Sequence, residues 1–216
     1  MTKPARSAKA ARPGGRPAVT SRAARRAGTR EQVRVAALEL FSSAGFDETT
    51  TQAIARRAGV ASGTVFLYAQ DKADLLFLVM HDRLEQAVAR SFETLGEGPL
   101  IERLMHVFRG VFAMYGESPR MGAAFVRLLP GATGPNAERV NALTFTFLQR
   151  LGALVADAQA RGEVAADLPA LACAQNIFGL YFMTLLAWMA GHCTLETASG
   201  PMLRQALALQ VRGLRR

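Results

Sequence analysis

TTTQAIARRAGVASGTVFLYAQDK, residues 49–72, reads as two short helices joined by a tight turn. The first is predicted over 51–58, with Thr50 as N-cap, because a hydroxyl at that position accepts from a free backbone N–H. Ile54, Ala55 and Ala58 give it a narrow apolar face. Gly59 stands where the chain must turn, since glycine reaches the left-handed conformation without a steric cost. Val60 plugs the corner, and a second helix is predicted over 62–68. Two helices joined by a three- or four-residue turn containing Gly form a helix-turn-helix, whose second helix enters the major groove of DNA.

Further motifs sit around that pair: Ala44-Gly45-Phe46, Thr49-Thr50-Thr51, Ile54-Ala55, Ala58-Gly59-Val60, Gly63-Thr64-Val65-Phe66 and Lys72. Together they resemble the N-terminal domain of TetR-family transcriptional regulators over residues 30–80. In that family an AGF-like corner, a T-T run, IA-x-x-AGV, GT-x-[YF] and a helix-opening lysine follow in this order. Ala61 departs from the common capping Ser, Ala69 from the usual aromatic, and Leu67 from a frequent polar base reader. These departures bear on the operator sequence, not on the fold. Carried over position by position, the resemblance implies that Thr50 and Thr51 hold a phosphate at a helix N-terminus. It makes Thr64, Tyr68 and Lys72 further backbone contacts, which fix register. Gln52 and Ser62 become the base readers, because Gln contacts adenine bidentately and Ser is permissive. Gly63 allows close approach, and Leu67 meets a thymine methyl. Phe66 has two readings, thymine contact or packing beneath the reading helix. Arg56 and Arg57 read as solvated or phosphate-facing.

Outward from this unit the periodicity is helical throughout. Thr29 and Gln32 form a capping box for a helix whose Val33, Ala36, Ala37, Leu40, Phe41 and Ala44 share one face up to Gly45. A long helix follows Lys72 to about residue 95. Beyond it, breaks at 96–99, 118–119, 130–135, 162–169 and 191–201 separate helices near 100–117, 119–129, 136–161, 168–191 and 201–214. The fold class is all-α, about nine helices. Its expected division is a disordered basic arm (1–28), a helix-turn-helix domain (29–74) and an effector-binding and dimerisation domain (75–216).

The formal charge of +9 is concentrated in the arm. Nine of the 26 Lys and Arg residues fall in residues 1–30, which contain no Asp or Glu, so the remaining 17 balance the 17 acidic residues. Pro4, Pro13, Gly14, Gly15 and Pro17, with almost no large apolar side chains, leave nothing to build a core from. A solubilising tail and a targeting peptide compete with a DNA-contacting arm. The last is favoured because the arm runs directly into the first helix; it adds affinity and salt dependence more than specificity.

Enzyme chemistry has no foothold. His81, His106 and His192 form no i, i+4 pair and have no carboxylate at metal-ligand spacing; there is no nucleophile elbow and no P-loop. No cofactor or metal is expected. Cys173 and Cys193 read as small buried hydrophobes, with a redox sensor as the other option, and the lack of a secretion signal points to a cytoplasmic location. The charge-free run 168–195 is long enough for a membrane span, yet Gln175, Asn176, Thr184 and His192 interrupt it, and a core or dimer seam needs the same composition. The reading adopted is no membrane.

Aromatic and Met residues crowd the second half, as ordinary core or as an adaptable apolar pocket. The resemblance makes this the inducer pocket for a small apolar or aromatic effector. Its candidate lining is His106, Phe108, Phe112, Tyr115, Phe125, Phe145, Asn176, Tyr181 and Trp188, with His106, Asn176 and Tyr181 as the polar orienters. The resemblance also puts a homodimer seam in the last two helices (168–191 and 201–214) and double-stranded, near-palindromic operator DNA opposite the reading helices, with half-sites about one helical turn apart. The implied protein is a ligand-responsive repressor in which the effector displaces the helix that begins at Lys72. The alternative is a nonspecific or architectural DNA-binding protein driven by the arm.

Overall fold

The computed structural model describes residues 18–214, and side chains from Arg22 onward. Among these residues the chain is helical and contains no strand. Helix α1 spans Ala18–Ser43, α2 Thr51–Ala58, α3 Ser62–Val65 and α4 Lys72–Glu93. The body follows with α5 Leu100–Gly116, α6 Pro119–Leu128, α7 Pro135–Ala160 and α8 Ala170–Met189. A one-turn α9 (Leu195–Thr197) passes through a π-helical turn (Ala198–Met202) into α10, Leu203–Gly213. The all-α expectation holds. The helix expected from residue 201 begins earlier, with Pro201 inside the π turn and Gly200 out of helical geometry at φ −113°, ψ −105°.

The start of α1 corrects the sequence reading. Residues 18–28, assigned to a disordered arm, are helix; residues 1–17 lie outside the described residues. The segment AVTSRAARRAG is rich in Ala and Arg, both strong helix formers, and the last proline before it is Pro17. Thr29 is therefore not a cap. It sits mid-helix, and its hydroxyl donates back to the Arg25 carbonyl at 3.0 Å.

The helix-turn-helix forms as its local chemistry dictates. Thr50 Oγ1 accepts from Ala53 N–H at 3.1 Å. Gly59 turns the chain at φ 69°, and the Val60 N–H closes on the Ala55 carbonyl at 3.0 Å. The reading helix is shorter than predicted. Ala61 offers no side-chain cap, the α-helix ends at Val65, and i→i+3 bonds from Leu67 and Tyr68 carry the turn to residue 68.

Every residue of α4 from Asp74 to His81 is buried. Such a segment is apolar on all sides because it has neighbours on all sides. It packs against α1 on one flank and against α5, α6 and α7 on the other. The expected domain boundary between residues 74 and 75 thus falls in the first turn of a helix that continues through both units. Around it one core runs from Phe41, Phe46 and Ile54 through Leu78 to Phe108, Phe147 and Tyr181. Leu78→Ala should lower the unfolding free energy by about 2–5 kcal/mol, the range for a fully buried leucine. Urea denaturation followed by circular dichroism measures it; a loss under 1 kcal/mol would mean that this stretch of α4 is not the shared core.

Candidate nucleic-acid interface and apolar cavity

The reading surface consists of side chains that α2 and α3 leave in solvent. Gln52, Arg56, Ser62 and Gly63 are exposed, and Thr51 and Thr64 are half-buried. Phe66 and Leu67 are 53% and 65% exposed, so of the two readings for Phe66 the packed one does not describe this state. Arg57 is exposed and makes a surface pair with Glu39 of α1 at 2.6 Å. Thr50, although spent as an acceptor at the cap, keeps its hydroxyl proton free to donate.

Tyr68 and Lys72 have internal tasks that the sequence did not reveal. The Tyr68 hydroxyl donates to the Arg26 carbonyl of α1 at 3.3 Å. Lys72 Nζ donates to the carbonyls of Phe46 and Asp47 at 3.0 and 3.2 Å and lies 4.5 Å from the Phe46 ring centroid. The lysine therefore pins the loop before α2 to the start of α4, with one N–H left over. The loop is also held by Thr49, buried, whose hydroxyl donates to the Gly45 carbonyl at 2.6 Å. The bond at Arg26 sets the N-terminal turns of α1, with exposed Arg22, Arg25 and Arg26, against this unit. Sequence reasoning placed these three cations in the arm; the Ala-rich run around them was the signal for a helix.

In the body a cavity of about 60 Å³ lies between α4, α5, α6, α7 and α8. Three of the nine expected pocket residues line it: Tyr115, Phe125 and Tyr181. Phe108 and Phe112 form a second layer, with ring centroids 4.6 and 5.5 Å from Tyr181. Trp188 stands further along α8, 6.2 Å from Phe112. The other three are corrections. His106 is on the surface, where Nε2 meets Thr94 Oγ1 at 3.0 Å, and Phe145 (56% exposed) and Asn176 face outward. Phe147 and Phe178 line the cavity in their place. Two residues along a helix is a rotation of about 200°, so Phe145 and Phe147 of the TFTF run cannot share a face. The phase of buried Val140 and Leu151 would have selected Phe147.

The cavity's polar groups are Thr144, bonded to its own helix at Val140 O (2.9 Å), and the phenols of Tyr115 and Tyr181. Burial pushes both phenols well above the ordinary tyrosine range, and for Tyr181 the neighbouring Tyr115 adds to it. Both are neutral hydroxyls at any physiological pH, able to donate to a carbonyl or to accept. Cys173 is buried in α8 and Cys193 is half-buried beside Met202; both are free thiols.

A helix-turn-helix presenting Gln52 and Ser62, carried on a helical body with an apolar cavity, defines a DNA-binding regulator. Residues 33–79 match the family model of the bacterial regulatory proteins, tetR family. The fatty acid metabolism regulator protein of Bacillus subtilis (strain 168) is 24% identical over 159 residues, 73% of this chain and 82% of that protein. Thermus thermophilus FadR, a repressor solved with lauroyl-CoA, is 28% identical with a TM-score of 0.61, covering 86% of this chain and 92% of that one. FadR from Bacillus subtilis, solved with stearoyl-CoA, shares the fold at a TM-score of 0.68 and 22% identity, over 86% and 99% of the two chains. Residues 33–79 are thus a DNA-binding domain like that of the tetR-family regulators, and the likeness over the body supports a ligand-responsive transcriptional regulator. The architectural alternative is not favoured, because the likeness to regulators extends over the body as well as the reading unit.

Gln52→Ala should relax base preference at one operator position by about 1–3 kcal/mol. Lys72→Ala should weaken every sequence alike while also lowering the melting temperature, since it releases the 44–50 loop. Fluorescence anisotropy against single-base operator variants, with thermal unfolding alongside, separates the two; a position-specific effect from Lys72 would contradict the assignment.

Proposed function

We propose that this chain is a repressor that binds operator DNA as a homodimer and leaves it when a long-chain fatty acyl-CoA enters the body. The observation that carries this reading is the cavity between α4 and α8, apolar but for three hydroxyls. An acyl chain matches such walls, and the two buried phenols offer donors to a thioester carbonyl. The acyl-CoA complexes of two FadR relatives support the class. At about 60 Å³ the cavity is far below the roughly 300–1,000 Å³ of small-molecule sites. The described state is therefore the closed one, and an acyl chain must spread the helices around it to enter.

We place the dimer seam on α7 and α8 in preference to the last two helices expected from the resemblance. Phe145 of α7 and Leu171 and Met183 of α8 are large apolar residues in solvent, with Ala142 and Gly179 exposed among them. Helix α10 turns Leu203, Leu207 and Val211 into its own body and exposes a single large apolar residue, Leu209, with Met202 exposed in the turn before it. Helix α8 is long and apolar enough to cross a membrane by length and composition. Cys173, Ile177, Tyr181 and Leu185 on its inner face are nevertheless core, and the outer face suits a second copy of the chain better than lipid. Such a regulator works in the cytoplasm, beside its DNA.

The test is operator binding, on a site recovered by genomic selection at about 150 mM salt, with lauroyl-CoA, free coenzyme A or laurate added. Lauroyl-CoA should raise the operator Kd at least about tenfold, a coupling of about 1.4 kcal/mol, and coenzyme A alone should not. No effect from any acyl-CoA between about eight and eighteen carbons would sink the proposed effector class.

A further inference from the structure

The first turns of α4 and α7 share one buried carboxylate. Asp74 is 1% exposed and Asn136 is also buried. Asp74 Oδ1 accepts from the backbone N–H of Asn136 at 2.9 Å and of Ala137 at 3.2 Å, and Oδ2 accepts from Gln70 N–H at 2.9 Å. Helix α7 has no side-chain cap of its own: Gly134 precedes it and Pro135 begins it. Asp74 therefore caps α7 from another helix while bonding the residue before its own helix's cap, Asp71. Both helix N-termini favour the negative charge placed there. The Asn136 amide completes the joint, with Nδ2 donating to Asp74 Oδ2 at 3.0 Å and to the Tyr68 carbonyl at 2.8 Å. The corner is built around the carboxylate: Gly134 has φ 105°, and a Cβ there would fall 2.7 Å from Asp74 Oδ1.

Tyr68 closes the reading unit, and Asn136 opens the helix whose Val140, Thr144 and Phe147 line the cavity. Only four residues, about 6 Å of helix rise, separate Asn136 from Val140. We propose that Asp74 and Asn136 are the positioning pair that turns a displacement of α7 at the cavity into a displacement of the reading helix. The ligand arm of this inference rests on the effector reading above; the mechanical arm does not.

The test uses the full chain carrying Asn136→Ala, which keeps both backbone N–H donors and removes the amide, or Asn136→Ser if the alanine variant does not fold. In hydrogen-exchange mass spectrometry without ligand, the variant should exchange residues 62–70 at least about tenfold faster and leave 51–58 nearly unchanged. Unaltered exchange over 62–70 overturns the joint. With lauroyl-CoA as the probe, the variant should bind it within about threefold of wild type by calorimetry, yet retain less than a third of the wild-type operator release. Full release in the variant overturns the transmission. Arg127→Ala, which removes an exposed pair with Asp47, should leave both readouts unchanged. If lauroyl-CoA does not bind the wild-type protein, the effector reading fails by itself, and the exchange experiment decides the joint.

Discussion

A buried carboxylate is stable only where donors surround it, and Asp74 of α4 meets that condition by drawing its donors from α7 and from the turn between α3 and α4. Separating α4 from α7 breaks the three bonds that α7 gives Asp74, and hydrogen bonds to charged groups contribute about 1.5–3 kcal/mol each. Charged ties also join the reading unit to the body. Asp82 of α4 stands 3.5 Å from Arg34 of α1 and 3.8 Å from Arg139 of α7, and Arg127 of α6 pairs with Asp47 at 3.0 Å. The Asp47 pair is exposed on both sides, and pairs of that kind contribute about 0–1 kcal/mol and weaken with salt. Asp82 is half-buried; its hydrogen bond is to its neighbour His81 at 3.0 Å, and its arginine distances are those of ion pairs without good hydrogen bonds. By magnitude the Asp74 joint dominates.

What the sequence made legible is what local chemistry determines. The cap at Thr50, the left-handed turn at Gly59 and the closing bond from Val60 all lie within a dozen residues, so the motif could be placed and the family resemblance followed. The missing cap at Ala61 was also visible in the sequence; the end of the reading helix at Val65 was not. The α1 start was misread because charge and proline content were averaged over 30 residues, although the prolines end at Pro17 and the Ala-rich run begins after it.

The cavity was only partly legible because its lining depends on helix phase and on which neighbours pack. Aromatic composition identified the right helices, and Tyr115, Phe125 and Tyr181 were in place. Of the three polar orienters Tyr181 lines the cavity, whereas His106 and Asn176 lie on helix faces that meet solvent, where a polar group costs nothing. The Asp74–Asn136 joint was invisible, since it links residues 62 apart in sequence and neither belongs to the reading motif.

The closed core and the joint together account for why such a protein would respond to a ligand. Phe147 meets Phe92, Phe108 and Phe178 edge-on, at centroid distances of 6.1–6.2 Å, so one ring on α7 is keyed to α4, α5 and α8 at once. A ligand in the cavity cannot be accommodated by a single rotamer change, because a packed interior has few voids and transmits strain. On the proposed function it would move α7 as a unit. Moving α7 loads the carboxylate that caps it, and that carboxylate also holds the N–H of Gln70 beside the reading helix. On the proposed function, the ligand's advantage for an opened state need only exceed the cost of parting these contacts.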